Sequence, residues 1–181
     1  MPPPRPTRRR FLGAAGAAAG TAALGACGAG SSQPGPTGTP ADSVHLLDAA
    51  LVVEHMTIHA YDVGLPLLSA ATAPRGTAFR QHHLDHRDRL AQIIAGLGGT
   101  PTAARDTYDI GPPPTDEAGM LSLAASLEEQ ATRTHYATLR RLADPGLVQA
   151  LGSIMADEAQ HAAVLRTVLQ QDPAPAAFVS M

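Results

Sequence analysis

Near the C-terminal end, Glu158 and His161 stand three apart in "DEAQHAAVLR", a stretch rich in alanine and leucine that reads as helix. Positions three apart share a helix face, so this carboxylate and imidazole should point the same way. "QHHLDH" spaces His83 and His86 likewise, and Glu54 and Glu128 interrupt two further apolar-periodic stretches. Carboxylate oxygens and imidazole nitrogens are together the donors of iron, zinc, manganese and copper sites. On a buried face, carboxylates must protonate or be paired, and a pair of cations would offset that cost.

Whether those faces are buried depends on the elements that carry them. Four segments show helical periodicity, separated by breakers at 72–76, 98–114 and 144–146, and no segment alternates as a strand. The fold class is therefore all-α. Bundle helices bury positions spaced alternately by four and three. The first row reads Leu47, Leu51, Glu54, Ile58, Tyr61, Leu65, Leu68, and the second Phe79, His83, His86, Leu90, Ile93, Leu97. The third reads Leu121, Ala124, Glu128, Ala131, His135, Thr138, Leu142, and the fourth Leu147, Leu151, Ile154, Glu158, His161, Leu165, Val168. From helix starts near 41, 74, 115 and 145, Glu54, His86, Glu128 and Glu158 lie roughly 18 to 20 Å along their axes. Mid-helix positions coincide in parallel and antiparallel neighbours, so the polar residues can share one layer.

Connection lengths give the topology. Short turns make helices one and two, and three and four, antiparallel hairpins, whereas residues 98–114 can span about 55 Å when extended. This pattern fits a bundle with a long crossover between helices two and three better than an up-down-up-down bundle. Asp144 before Pro145 reads as an N-cap with proline at the first helical position. A row through Glu129 is less apolar than the row through Glu128, and a small rotation of helix two would turn His82 or Asp85 inward. His135, seven residues beyond Glu128, reads as an extra ligand or, more readily, as a hydrogen-bonded core histidine. His45, His55 and His59 fall off or at the edge of the first row and are expected to face solvent. Asp157, Arg133, Arg140, Arg141 and Arg166 read as a solvated outer surface.

Composition limits the partners. Four of the 13 basic residues, all arginines, lie in the first ten positions, leaving nine against 16 acids. The remainder is acidic, which argues against nucleic acid. "TRRRFLG", residues 7–13, resembles a twin-arginine export signal, with Gly13 where lysine is often found. "LGAC" ending at Cys27, the sole cysteine, resembles a lipobox. These resemblances imply a signal over 1–27, lipidation of Cys27 and a place on the outer face of the cytoplasmic membrane or in the periplasm. Residues 28–40, mostly Gly, Pro, Ser and Thr, read as a flexible tether, and 41–181 as a single domain. With Cys27 lipidated, no internal disulfide can form, so stability must come from packing or metal.

One glutamate from each of two helices, with Glu-x-x-His from the others, resembles the ferritin-like di-metal carboxylate proteins. "LLDAALVVEHMTIHAY", "HRDRLAQIIAGLGGTP", "EAQHAAVLR" and "PAPAAF" resemble exported bacterial members of that group over most of residues 42–178. The resemblance implies a ferritin-like four-helix bundle with Glu54, His83, His86, Glu128, Glu158 and His161 as metal ligands and Tyr61 as a hydrogen bonder behind them. Its expected cofactor is one or two transition-metal ions, iron foremost, with manganese, zinc or copper as alternatives, and its expected activity is ferroxidase-like or peroxide- or oxygen-linked oxidation, or iron sequestration. His83 departs from the pattern by replacing the bridging glutamate, which weakens the hold on a second cation. Expected partners are metal ions, the membrane through lipid on Cys27, and a second copy of the chain. The competing reading is a metal-free bundle acting as an interaction module of the cell envelope.

Overall fold

A computed structural model describes residues 38–179 and is helical wherever it is regular: α1 (Pro40–Gly64), α2 (Ala73–Gly96), α3 (Glu117–Leu139) and α4 (Pro145–Val168), with a 3-10 turn at Leu65–Leu67. The signal, the lipobox cysteine and most of the tether lie outside the described residues. Three of the helices begin where the sequence supplies an acceptor for orphan backbone donors, whereas α2 starts after Thr72 with no side-chain cap. Thr39 and Asp42 form a reciprocal capping box on α1, Asp116 Oδ1 accepts from Gly119 N at 2.7 Å, and Asp144 Oδ1 accepts from Leu147 N at 3.0 Å. Among the described residues no helix is long and apolar enough to cross a membrane.

The apolar rows pack into two clusters. Leu46, Leu47, Ala50, Leu51, Leu90, Ile94, Leu151 and Ile154 fill one end of the bundle. Tyr61, Phe79, Met120, Leu121, Ala124 and Leu165 fill the other. The first cluster takes the N-terminal halves of α1 and α4 and the C-terminal half of α2; the second takes the reverse. Thus α1 runs antiparallel to α2 and α3, and the link from α2 to α3 must return along the whole bundle.

That link lies along α1. Gly99 sits against Val44, and Thr102 N donates to Asp48 Oδ1 at 2.8 Å. Farther on, the Tyr108 ring lies 5.8 Å from His59. His55, expected in solvent, is instead buried, with Nε2 3.1 Å from Thr102 O. The crossover covers a face that an isolated helix would expose. His45 is exposed as expected. At the opposite end of α1, Gly64 permits a close approach: a Cβ there would lie 1.7 Å from Met120 Sδ.

Candidate metal centre

Between the two apolar clusters each helix contributes polar side chains to one layer. Glu54, His83, Glu128, His135, Glu158 and His161 are buried, and His86 is nearly so. Glu128 points inward, whereas Glu129 pairs outside with Arg133 at 3.6 Å and Arg166 at 2.7 Å. The six residues expected as ligands converge in two overlapping groups. Glu54, His83, His86 and Glu158 place ligand atoms within 4.8 Å of one another, as do His83, Glu128, Glu158 and His161. His83 and Glu158 belong to both.

His83 is the centre of the layer. Its Nδ1 lies 2.9 Å from Glu54 Oε2 and 3.5 Å from Glu158 Oε1, and its Nε2 lies 3.2 Å from Glu128 Oε1. Both nitrogens face carboxylates, a geometry that only the doubly protonated ring satisfies by donating twice. Burial opposes that charge, but Glu128, Glu54 and Glu158 outweigh it and hold the imidazole well above its ordinary pKa. Likewise burial lowers His86 and His161, yet their carboxylate partners raise them to about 10 and about 9. His86 Nδ1 is 3.0 Å from Glu158 Oε1, and His161 Nδ1 is 3.4 Å from Glu128 Oε2.

The carboxylates differ. Burial pushes Glu54 up, but hydrogen bonds from His135, His83 and His86 bring it well below the usual range. Glu128 is also lowered against the effect of burial, by the His83 charge and by bonds from His161 and His83. Tyr61 donates its hydroxyl to Glu128 Oε1 at 2.6 Å, and burial with that carboxylate keeps the phenol neutral. In Glu158 burial prevails and the pKa is raised. Among the described residues its Oε2 has no hydrogen-bond partner. The other such buried side-chain atom among them is Nδ1 of His135, whose Nε2 meets Glu54 Oε1 at 2.8 Å. The expected core histidine is therefore satisfied on one side only. Its seven-residue offset from Glu128, two helical turns, was the signal that it faces inward.

Asp157 corrects the sequence reading. It is not simple solvated surface: Oδ2 lies 3.2 Å from His82 Nδ1, 3.3 Å from His86 Nε2 and 3.3 Å from His161 Nε2. Adjacent helical residues are separated by about 100°, so the neighbour of an inward residue lies on the flank, where another helix can meet it. His82, next to inward His83, occupies the same position on α2, and Asp85 instead pairs locally with Gln81.

The comparisons agree with this architecture. A conserved hypothetical protein from Mycobacterium tuberculosis superposes with a TM-score of 0.69 at 21% identity, covering 77% of this chain and 99% of that one. A ferritin-like, diiron-carboxylate protein from Bacillus anthracis gives 0.64 at 23%, covering 72% and 96%. Rhodobacter capsulatus bacterioferritin, described with a metal-free dinuclear site and heme iron, gives 0.65 at 22%, covering 72% and 84%. No curated protein matches the chain. The family described as "Ferritin-like domain" matches residues 42–171, the span that holds the whole polar layer and all four helices but for the first two residues of α1. With four helices, a full-length crossover and this match over most of its length, the chain belongs to the ferritin-like domain family.

Proposed function

We propose that this is an exported ferritin-like metalloprotein, tethered by lipid on Cys27, whose bundle core binds one or two transition-metal ions, iron foremost, to oxidise or sequester iron. The observation that carries the reading is the convergence of three buried carboxylates and three imidazoles on two overlapping four-ligand groups. The donor set suits such a cation, and Glu158 Oε2, 3.4 Å from His161 Nδ1, accepts no hydrogen bond among the described residues. Glu54 and His86 would hold a cation on one side and Glu128 and His161 on the other, with His83 and Glu158 between them. Bound iron would supply one-electron redox chemistry.

The protein's own contribution is positioning and exclusion of water. Tyr61 fixes Glu128 by its hydroxyl, and His135 fixes Glu54, so both carboxylates are oriented before any ion arrives. The apolar clusters close both ends of the layer. Metal analysis of the purified protein beside Glu54→Ala and Glu158→Ala tests the reading: stoichiometric metal in the wild type should be lost in both. A wild type that holds no metal, and whose melting is unmoved by iron, manganese, zinc or copper, would leave the metal-free envelope module. Cys27→Ser should abolish labelling by fatty acid and release the protein from membranes.

A further inference from the structure

On the flank of the polar layer, His82, Asp157 and His161 form a second constellation. His82 Nδ1 lies 2.9 Å from His161 Nε2, and Asp157 Oδ2 lies 3.2 Å from the former and 3.3 Å from the latter. Ligand atoms about 2.0–2.1 Å from one cation are separated by about 2.9 Å at right angles and about 3.3 Å at tetrahedral angles. The triangle has the edges that one cation requires. Phe79 stacks on the His161 ring, with centroids 4.0 Å apart, and so helps fix its orientation.

Unlike the core groups, this one meets solvent. The His82 and Asp157 side chains are 45% and 30% exposed, whereas His161 is 2% exposed. A surface trough of about 710 Å³ is lined by Asp157 and His86 together with Asp85, Arg89 and Gln160. Inner and outer groups meet at shared rings. His161 turns Nδ1 to Glu128 and Glu158 and Nε2 to His82 and Asp157. His86 likewise turns Nδ1 to Glu158 and Nε2 to Asp157.

We propose that His82, Asp157 and His161 Nε2 form an outer divalent-cation site, open to solvent, from which ions load the buried layer. A neutral imidazole has one lone pair. A cation on His161 Nε2 leaves Nδ1–H to face Glu128 and Glu158; a cation on Nδ1 leaves Nε2–H to face Asp157. Occupancy of the outer and inner positions through His161 is therefore exclusive, and the ring works as a two-way relay. The loading role rests on the core holding an ion, as proposed above; the outer site rests on its own geometry.

Cobalt(II), whose visible spectrum reports its ligands, tests both parts. In the full-length protein His82→Ala should slow cobalt uptake about tenfold or more, with the final core spectrum unchanged. His82 is half-exposed and belongs to neither buried ligand group, so the substitution removes no core ligand. With Glu54→Ala and Glu128→Gln combined to cripple the core, one weakly held cobalt should remain and vanish when His82→Ala is added. Unchanged uptake by His82→Ala overturns the loading site, and an altered final core spectrum overturns the division into outer and inner positions. If wild-type protein binds one cobalt, lost in His82→Ala but kept in Glu54→Ala, the outer site stands while the core reading fails; if no cobalt binds at all, both fail.

Discussion

Replacing His83 with glutamate restores a carboxylate at the position between the two groups and should move the metal-free and loaded proteins in opposite directions. In the metal-free protein His83 donates to Glu54 at 2.9 Å and to Glu128 at 3.2 Å, with all three side chains fully buried. His83→Glu removes both bonds and places a fourth carboxylate among three. Breaking a buried ion pair costs about 3–5 kcal/mol. For a domain of this size that lowers the midpoint by on the order of 10–20 °C, taking roughly 4 °C per kcal/mol. With iron, manganese or zinc, the added negative charge instead favours occupancy of both groups. Calorimetry of chelator-treated and loaded protein, with metal analysis, measures the two effects. His83→Gln controls for shape, since it removes the charge without adding an anion. A metal-free midpoint equal to wild type, or no rise in metal content in the loaded variant, refutes the argument that His83 limits the second cation.

Four further perturbations probe other parts of the structure. Because His86 and His161 are raised to about 10 and about 9, they stabilise the metal-free fold fully below the unfolded imidazole value and lose that effect as pH rises through 9 to 10. Zinc affinity should climb over the same interval and zinc uptake should release protons, seen by titration calorimetry in buffers of different ionisation heat. Tyr61→Phe removes a hydrogen bond to a buried carboxylate and should lower metal-free stability by about 1.5–3 kcal/mol in urea unfolding at unchanged slope. Gly64→Ala drives a methyl into Met120 and should cost about 1–3 kcal/mol despite the better helix propensity, read as a lower thermal midpoint. Removing metal with a chelator should leave the far-ultraviolet dichroism of the four helices unchanged while lowering the midpoint; loss of helix would show that metal is needed for folding.

The layer was legible because its residues interrupt otherwise apolar rows at nearly equal depth. Glu54 among Leu51, Ile58 and Tyr61 can only face inward if its neighbours do, and the same reasoning separated Glu128 from Glu129. The crossover was legible from loop length. What escaped depends on contacts between helices or with loops. His55 is edge material on α1 alone and becomes buried only because Thr102, 47 residues later, comes to rest beside it. Asp157 and His82 are the helical neighbours of inward residues, at an angle where the exact rotation of α2 against α4 decides between solvent and contact. A periodic row specifies its centre well and its margins poorly.

The margins matter because they determine how a buried, charged layer can exist before an ion arrives. Three carboxylates set between two apolar clusters would be untenable alone, but His83, His86, His161 and His135 surround them, and the carboxylates hold the first three imidazoles above their ordinary pKa, which favours protons as the compensating charge. The layer can therefore assemble with the fold, and the proposed metal binding would be an exchange of cations for protons rather than a condition for folding. Glu158 breaks the symmetry of that arrangement. It is the one carboxylate of the three in which burial prevails and the pKa ends raised, and one of its oxygens accepts no hydrogen bond among the described residues. Since it also belongs to both ligand groups, the least satisfied acceptor lies where an incoming ion would gain most, beside the residue pair, Asp157 and His161, that joins the layer to solvent.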